Sequence, residues 1–166
     1  VFNPSPMLSS HQVKSFPWEK VSWLLINEGE AKELYKGFTG IKDDRLPPFV
    51  EILATELTEI EQLKKTNILI TLGAKGVLAL AAAWRTPEGR LSSGFIGTPV
   101  PAATLEGDFR DTTGAGDCFT GYFVAGLMEE FGREAAYGGD KGKERVEKIL
   151  RVCCQVRGQP SEVVVD

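Results

Sequence analysis

Apolar residues along the chain follow two alternating patterns, one typical of buried strands and the other typical of amphipathic helices. Four short, nearly continuous apolar runs predict strands, and the fourth, which contains glycines and a proline, is typical of a sheet edge. Longer stretches in which apolar residues recur every three or four positions predict helices. The strands are expected at 23–26, 67–71, 77–84 and 94–100, and the helices at 28–38, 49–65, 114–131 and 144–155. Strands that alternate with helices in this way predict a doubly wound α/β sheet.

Several segments carry more detailed expectations. Residues 1–2 are predicted to end a strand, and the turn at 72–76 is too short for a crossover, so its flanking strands are expected to pair antiparallel. The glycine-rich, charged segment 132–143 is predicted to be a connector, and the helix over 114–131 is predicted to be buried. The residues that the helix over 49–65 is predicted to turn inward are Ile52, Leu53, Leu57, Ile60 and Leu63.

Composition and charge narrow the class of protein. A chain of 166 residues with 42% hydrophobic residues is predicted to be one soluble domain over 1–166. The formal net charge of -4 gives no general attraction to nucleic acid or anionic membranes, and no apolar run reaches the ~20 residues of a membrane span. The 3 cysteines, two of them adjacent, make neither a disulfide framework nor a zinc site, which favours a reducing, cytoplasmic location.

The candidate chemistry centres on the heptapeptide from Asp111 to Asp117, which reads D-T-T-G-A-G-D and leads directly into a predicted helix. Glycines let the backbone approach a ligand, and the first amides of a helix point outward as free donors at its positive end. Such a surface suits a phosphate, and Asp117 within it can accept a proton from an attacking alcohol. A plainer reading is equally open on the heptapeptide alone: the glycines make a turn, and Asp117 complements the helix dipole.

Two further polar loops, Asn27 to Glu30 and Thr71 to Gly76, follow predicted strands. Ligands of α/β folds gather at the carboxyl ends of the strands, so these loops and the heptapeptide are expected to share one site. Their carboxylates, hydroxyls and glycine backbone suit a nucleoside triphosphate with a divalent metal. Two familiar phosphate motifs fail, because the segment 138–144 is one residue short of a P-loop and Phe119 stands where the dinucleotide fingerprint needs a glycine.

The loops and the heptapeptide together resemble the motifs of ribokinase-like (PfkB-type) carbohydrate kinases, in the order found in the carboxyl-terminal half of that family's domain. The heptapeptide matches the family's D-T-x-G-A-G-D signature in full. Asn3 to Pro6 resembles its N-P-x-P turn, Asn27 to Glu30 its N-x-x-E motif, and Thr71 to Gly76 its T-L-G-x-x-G nucleotide turn. The resemblance implies a ribokinase-like doubly wound sheet flanked by helices, without the family's first strands and small β lid.

The resemblance also implies an activity, ATP-dependent phosphoryl transfer to a sugar hydroxyl. Asp117 would be the base that takes the proton from the hydroxyl as it attacks the γ-phosphate. The backbone amides of Gly114, Ala115 and Gly116 would form the anion hole for the transferring phosphoryl group.

The remaining roles that the resemblance implies concern the nucleotide and its cations. The residues are Thr71, Gly73 and Gly76 for the nucleotide, Asn27 and Glu30 for Mg²⁺ held through water, and Asp111, Thr113, Gly158 and Ser161 for a monovalent cation such as K⁺. Plainer readings stay open for three of them. Glu30 can be an ordinary first-turn helix acid, Thr71 a strand-end cap and Ser161 a turn residue.

Members of this family are longer than this chain, and the residues that grip the sugar would precede Val1. The chain alone is therefore expected to phosphorylate sugar little or not at all, because the acceptor has few orienting contacts and water is not excluded. Two function classes stay open: a carbohydrate kinase whose nucleotide half is seen here, and a catalytically inactive kinase-fold module for nucleotide binding or assembly. The expected partners are ATP and a sugar-type acceptor, with neither nucleic acid nor membrane. Uncovered sheet edges favour a homodimer.

Overall fold

A computed structural model of the chain describes residues 1–82, 96–100, 114–131 and 139–156. The described residues form nine regular elements and several short 3₁₀ turns. These elements are α1 (Ser10–Ser15), β1 (Trp23–Asn27), α2 (Glu28–Thr39), α3 (Val50–Glu59), β2 (Asn67–Thr71), β3 (Val77–Leu80), β4 (Ile96–Val100), α4 (Ala115–Phe131) and α5 (Gly139–Val156). Within these ranges, no helix is both long enough and apolar enough to cross a membrane.

The strands form one mixed sheet in the order β1-β2-β3-β4. β1 and β2 run parallel, while β3 pairs antiparallel with both β2 and β4, as the short turn before β3 predicts. β4 lies at one edge of the described sheet, which confirms the prediction from its glycine and proline. An isolated parallel bridge joins Phe2 to Leu24 of β1, so residue 2 lies beside β1 as the predicted strand end would.

Helices cover both faces of the sheet. Both faces are apolar, because successive strand residues point to opposite sides and nearly all of them are apolar. On the side of the sheet that packs against α1, α2 and α3, the strand residues form one core with residues of two of these helices: Leu24, Ile26, Ile68 and Ile70 with Leu34 of α2 and with Leu53 and Leu57 of α3. On the side that packs against α4 and α5, the strand residues Trp23, Leu25 and Leu69 form a second core with Phe119 and Phe123 of α4 and with Val146 and Leu150 of α5. The ring of Trp23 meets that of Phe123 edge to face, with centroids 5.0 Å apart. The doubly wound α/β fold predicted from the alternating pattern is therefore confirmed.

The helix predicted over 49–65 is shorter than expected. α3 ends at Glu59, because Ile60 takes an extended backbone conformation (φ -67°, ψ 125°). Leu63 still reaches the core, from a separate 3₁₀ turn over Glu61–Leu63. The prediction that Ile52 faces inward is wrong, since its side chain is 45% exposed. The inward stripe of α3 runs instead through Leu53, Ala54, Leu57 and Thr58.

The predictions for the two carboxyl-terminal helices also need correction. α4 is buried on one side only: Phe119, Phe123, Leu127 and Phe131 recur every four residues and are buried, whereas Cys118, Tyr122 and Met128 are exposed. α5 begins at Gly139, so the part of the predicted connector from 139 to 143 is helical. In that part Lys141 is exposed, Lys143 is half-buried and Gly142 is buried, so a charge-rich segment can lie on the exposed side of a helix. Residues 132–138 lie outside the described residues.

Candidate active site

The carboxyl ends of β1 and β2 bring two of the predicted loops side by side. The two strands are parallel and in register, and Asn27 at the end of β1 pairs with Thr71 at the end of β2. The loops that follow, at 27–30 and 72–76, therefore leave the sheet at the same edge. This is the edge at which ligands of α/β folds bind.

Asn27 and Glu30 form a reciprocal capping box at the start of α2. The Oδ1 atom of Asn27 accepts a hydrogen bond of 2.8 Å from the Glu30 backbone, and the Oε2 atom of Glu30 accepts one of 2.8 Å from the Asn27 backbone. The structural reading of this pair is therefore correct, and it does not exclude the functional one. Among the described contacts the cap engages only Oε2 of Glu30, so Oε1 remains available to water.

The oxygen donors at this edge fit Mg²⁺ only through intervening waters. Within the part of the chain that the structure describes, no group of three or more His, Cys, Asp or Glu side chains lies close enough together to hold a metal ion. Mg²⁺ keeps several waters and is bound through one or two carboxylates together with substrate phosphates. Glu30 and Asn27 match that role better than they match a closed protein cage.

Two variants of Glu30 separate its part in the capping box from its proposed part in holding Mg²⁺. Glu30→Ala removes one of the two hydrogen bonds of the capping box, the one that Oε2 accepts from the Asn27 backbone, and should lower the free energy of unfolding by about 1 kcal/mol in the absence of nucleotide. Glu30→Gln retains a side-chain acceptor for the Asn27 amide and should unfold close to the wild-type midpoint, while Mg²⁺-dependent nucleotide binding weakens in both variants. Urea unfolding of the two variants tests the cap. Equal midpoints for Glu30→Ala and wild type would contradict it.

The turn between β2 and β3 presents backbone to solvent. Gly73 and Gly76 have φ values of 60° and 97°, which residues with a side chain rarely adopt. A hydrogen bond of 2.8 Å from the Leu72 amide to the Gly76 carbonyl closes the turn. No atom lies within 4 Å of where a Cβ of Gly73 would stand, so the backbone there is open to a ligand.

Charged groups of the two segments lie close enough together to act on each other. The pKa of Glu28 lies below its usual value, first because Lys32 donates a hydrogen bond of 2.8 Å to it and further because Lys75 is nearby. Lys75 belongs to the turn after β2, and Glu28 follows β1 directly. The exposed ammonium group of Lys75 thus contributes positive charge to the shared edge.

The start of α4 is an open surface of backbone and small residues. Gly114 has a φ of 78°, and its carbonyl accepts the first helical hydrogen bond, of 2.9 Å, from the amide of Cys118. Among the described residues, leaving aside chain neighbours and the helix's own backbone, no atom lies within 4 Å of a Cβ built on Gly114 or on Gly116. Gly116 and Asp117 are exposed in the first turn, where helix amides have no intrahelical partner. α4 thus begins close to where the sequence predicts, and Asp117 in its first turn is exposed.

A contact that the sequence did not predict ties this helix start to the amino-terminal turn. The Nδ2 atom of Asn3 donates a hydrogen bond of 3.1 Å to Oγ1 of Thr120, which donates one of 2.9 Å to the Gly116 carbonyl. Phe2 is paired with β1, so this contact holds the first turn of α4 near the outer side of that strand. One feature of the sequence pointed to this contact, the hydroxyl of Thr120 within the apolar run at 118–128.

The residues predicted for a monovalent cation, Asp111, Thr113, Gly158 and Ser161, lie outside the described residues. The other predicted residues fall into two groups. Asn27, Glu30, Thr71, Gly73 and Gly76 meet at the shared ends of β1 and β2, and Gly114, Ala115, Gly116 and Asp117 form the start of α4.

Comparison with known proteins identifies the family. Residues 3–152 match the model of the pfkB family carbohydrate kinases. This match covers most of the chain, so the chain belongs to the pfkB family of carbohydrate kinases, as the four motifs predict.

Solved structures of ribokinases share the fold. Ribokinase from Cryptococcus neoformans var. grubii serotype A, solved in complex with ADP, is 38% identical with a TM-score of 0.65, over 96% of this chain and 45% of that one. The ribokinases of Giardia lamblia (21% identity, TM-score 0.61) and Thermotoga maritima (24%, 0.55) match in fold over 95% of this chain and 42% of theirs. The chain thus spans less than half the length of each of these relatives.

Proposed function

We propose that this chain is the nucleotide- and phosphate-binding half of an ATP-dependent sugar kinase. The observation that carries the proposal is the exposed first turn of α4, where two unobstructed glycines precede Asp117. The proposal is supported by family membership and by the 38% identity to a ribokinase solved with ADP. The acceptor is a sugar-type alcohol.

The proposed reaction is an in-line transfer of the γ-phosphoryl group. Asp117 takes the proton of the sugar hydroxyl as its oxygen forms a bond to phosphorus, and the bond from phosphorus to the leaving ADP oxygen breaks. The backbone amides of Gly114, Ala115 and Gly116 donate to the phosphoryl oxygens as their charge spreads. Because these donors belong to the helix start, they need no rearrangement when the charge develops.

The nucleotide lies, in this proposal, across the shared ends of β1 and β2. Thr71, Gly73 and Gly76 contact it, and the open turn leaves room for close approach to the backbone. Asn27 and Glu30 would hold Mg²⁺ through water, and the ion would supply positive charge beside the phosphates. K⁺ as a second cation, bound by Asp111, Thr113, Gly158 and Ser161, rests on the family resemblance alone.

A second candidate function is a catalytically inactive module of the same fold that binds nucleotide or assembles with other chains, including a second copy through sheet edges. A cytoplasmic location suits both candidates.

Titration of Mg²⁺–ADP into the chain tests what the two nucleotide-binding candidates share. We expect saturable binding by calorimetry that weakens when Mg²⁺ is removed with a chelator. Sugar-dependent formation of ADP from ATP then separates the candidates: the kinase requires it in the longest polypeptide that contains this chain, and the inactive module predicts none. No heat of binding at millimolar ADP would contradict the proposed function.

A further inference from the structure

Asn3 and Thr120 are joined across 117 positions of sequence by a single side-chain hydrogen bond at the base of α4. The amide of Asn3 donates to Oγ1 of Thr120 over 3.1 Å, and the hydroxyl of Thr120 donates to the Gly116 carbonyl over 2.9 Å. Gly116 immediately precedes Asp117. The two bonds therefore connect the amino-terminal turn to the backbone of the residue next to the proposed base.

The hydroxyl of Thr120 both donates and accepts a hydrogen bond. Its proton is directed to the Gly116 carbonyl and its oxygen accepts from Asn3, so its orientation is fixed by a group outside its own helix. A threonine that only bonds the carbonyl four residues earlier is a common local arrangement within helices. The bond from Asn3 changes that arrangement into a tertiary contact that restrains the first turn of α4.

The side-chain oxygen of Asn3 argues against a mainly stabilising role for this contact. Within the described part of the chain, Oδ1 of Asn3 is buried and has no hydrogen-bond partner. A buried acceptor without a partner is unfavourable for folding, and an apolar side chain of similar size would avoid that loss. Asn3 therefore offers the fold little net stability, while its Nδ2 atom is placed on Thr120.

We propose that Asn3 and Thr120 are positioning residues that hold the first turn of α4, at 114–117, in the geometry that receives the transferring phosphoryl group. This inference rests on the proposed function. Neither residue touches the phosphoryl group: Asn3 acts on Thr120, Thr120 acts on the Gly116 carbonyl, and the adjoining amides and Asp117 follow. The contact also makes the amino-terminal turn a part of the active site's support, a role beyond ending the first strand.

The test compares ground-state and transition-state mimics on the chain with Thr120→Val, Thr120→Ser and Asn3→Ala. The probes are Mg²⁺–ADP alone and Mg²⁺–ADP with aluminium fluoride, which mimics the phosphoryl group in transfer. Thr120→Val should bind ADP alone within about twofold of wild type, but should lose about tenfold of the gain from aluminium fluoride. Thr120→Ser keeps the hydroxyl and should restore the gain, and Asn3→Ala should behave like Thr120→Val with an unfolding midpoint near that of wild type.

Each outcome decides a separate point. If Thr120→Val and Asn3→Ala both keep the full wild-type gain from aluminium fluoride, the positioning role is overturned while the proposed function stands. If Thr120→Ser loses the gain as Thr120→Val does, the hydroxyl is not the active group and the role is also overturned. If the wild-type chain binds neither probe, the proposed function itself fails, and the positioning role fails with it.

Discussion

Replacing Asp117 with asparagine is expected to lower phosphoryl transfer by a factor of about 10²–10⁴, the usual contribution of a general base. Asparagine has nearly the same shape but cannot take the proton of the attacking hydroxyl. Asp117 is exposed in the first turn of α4, so the substitution should leave the core untouched. The measurement is sugar-dependent formation of ADP from ATP in the longest polypeptide that contains this chain.

The control for this prediction lies on the same helix. Glu129 is an exposed acid of α4, more than three turns after Asp117, and Glu129→Gln makes the same chemical change away from the site. It should keep wild-type transfer, and both variants should bind Mg²⁺–ADP as wild type does. If Asp117→Asn retains its transfer rate, Asp117 is not the base, and the dipole-complementing reading of this residue is the correct one.

The largest expected change in stability comes from Gly126→Ala, at the contact between α4 and α5. A Cβ on Gly126 would stand 2.7 Å from Cγ2 of Ile149 and 3.2 Å from its Cγ1. Ile149 is 3% exposed, and its β-branched side chain has few alternative rotamers in a helix. We expect this overpacking to lower the free energy of unfolding by about 1–3 kcal/mol, even though alanine favours the helix more than glycine does.

Gly121→Ala is the matched control, one to two turns earlier on α4. In the part of the chain that the structure describes, no atom beyond the residue's own helix and chain neighbours lies within 4 Å of a Cβ at Gly121, and the residue is exposed. The same substitution should therefore stabilise the protein, by about 0.5–1 kcal/mol, because alanine loses less conformational freedom in a helix. Urea unfolding of both variants is the measurement. Shifts of the same sign and size would contradict the close packing of the two helices.

The strands β1, β2 and β3 could be predicted from sequence because each is buried on both faces and reads as a nearly uninterrupted apolar run, although β3 ends at Leu80 and not at 84. The antiparallel return to β3 was predictable from the length of the turn alone. The end of α3 was not, since the apolar spacing continues through Ile60 and Leu63, which reach inward from outside the helix. The helical start of α5 was missed because its glycines and charged residues are typical of loops, although charged residues also suit the exposed side of a helix.

The site was predictable to the extent that it follows from strand ends and a helix start. The pairing of Asn27 with Thr71 is a consequence of two parallel strands in register, so the two loops had to meet. The contact between Asn3 and Thr120 was not predictable, because no local pattern specifies a partner 117 positions away. Glu30 was predicted either to help hold Mg²⁺ or to be an ordinary first-turn helix acid, and the hydrogen bonds show that it also forms a capping box with Asn27.

The central claim is that the first turn of α4 receives the transferring phosphoryl group, and Gly116→Ala tests it most directly. Among the described residues, a Cβ on Gly116 would meet no atom within 4 Å beyond its chain neighbours and its own helix, and its φ is not positive, so the chain should remain at least as stable as wild type. The added methyl group would occupy the space that the claim assigns to the phosphoryl group. Binding of Mg²⁺–ADP with aluminium fluoride should therefore weaken at least about tenfold relative to wild type and to Gly121→Ala. Binding as tight as that of wild type would contradict the claim.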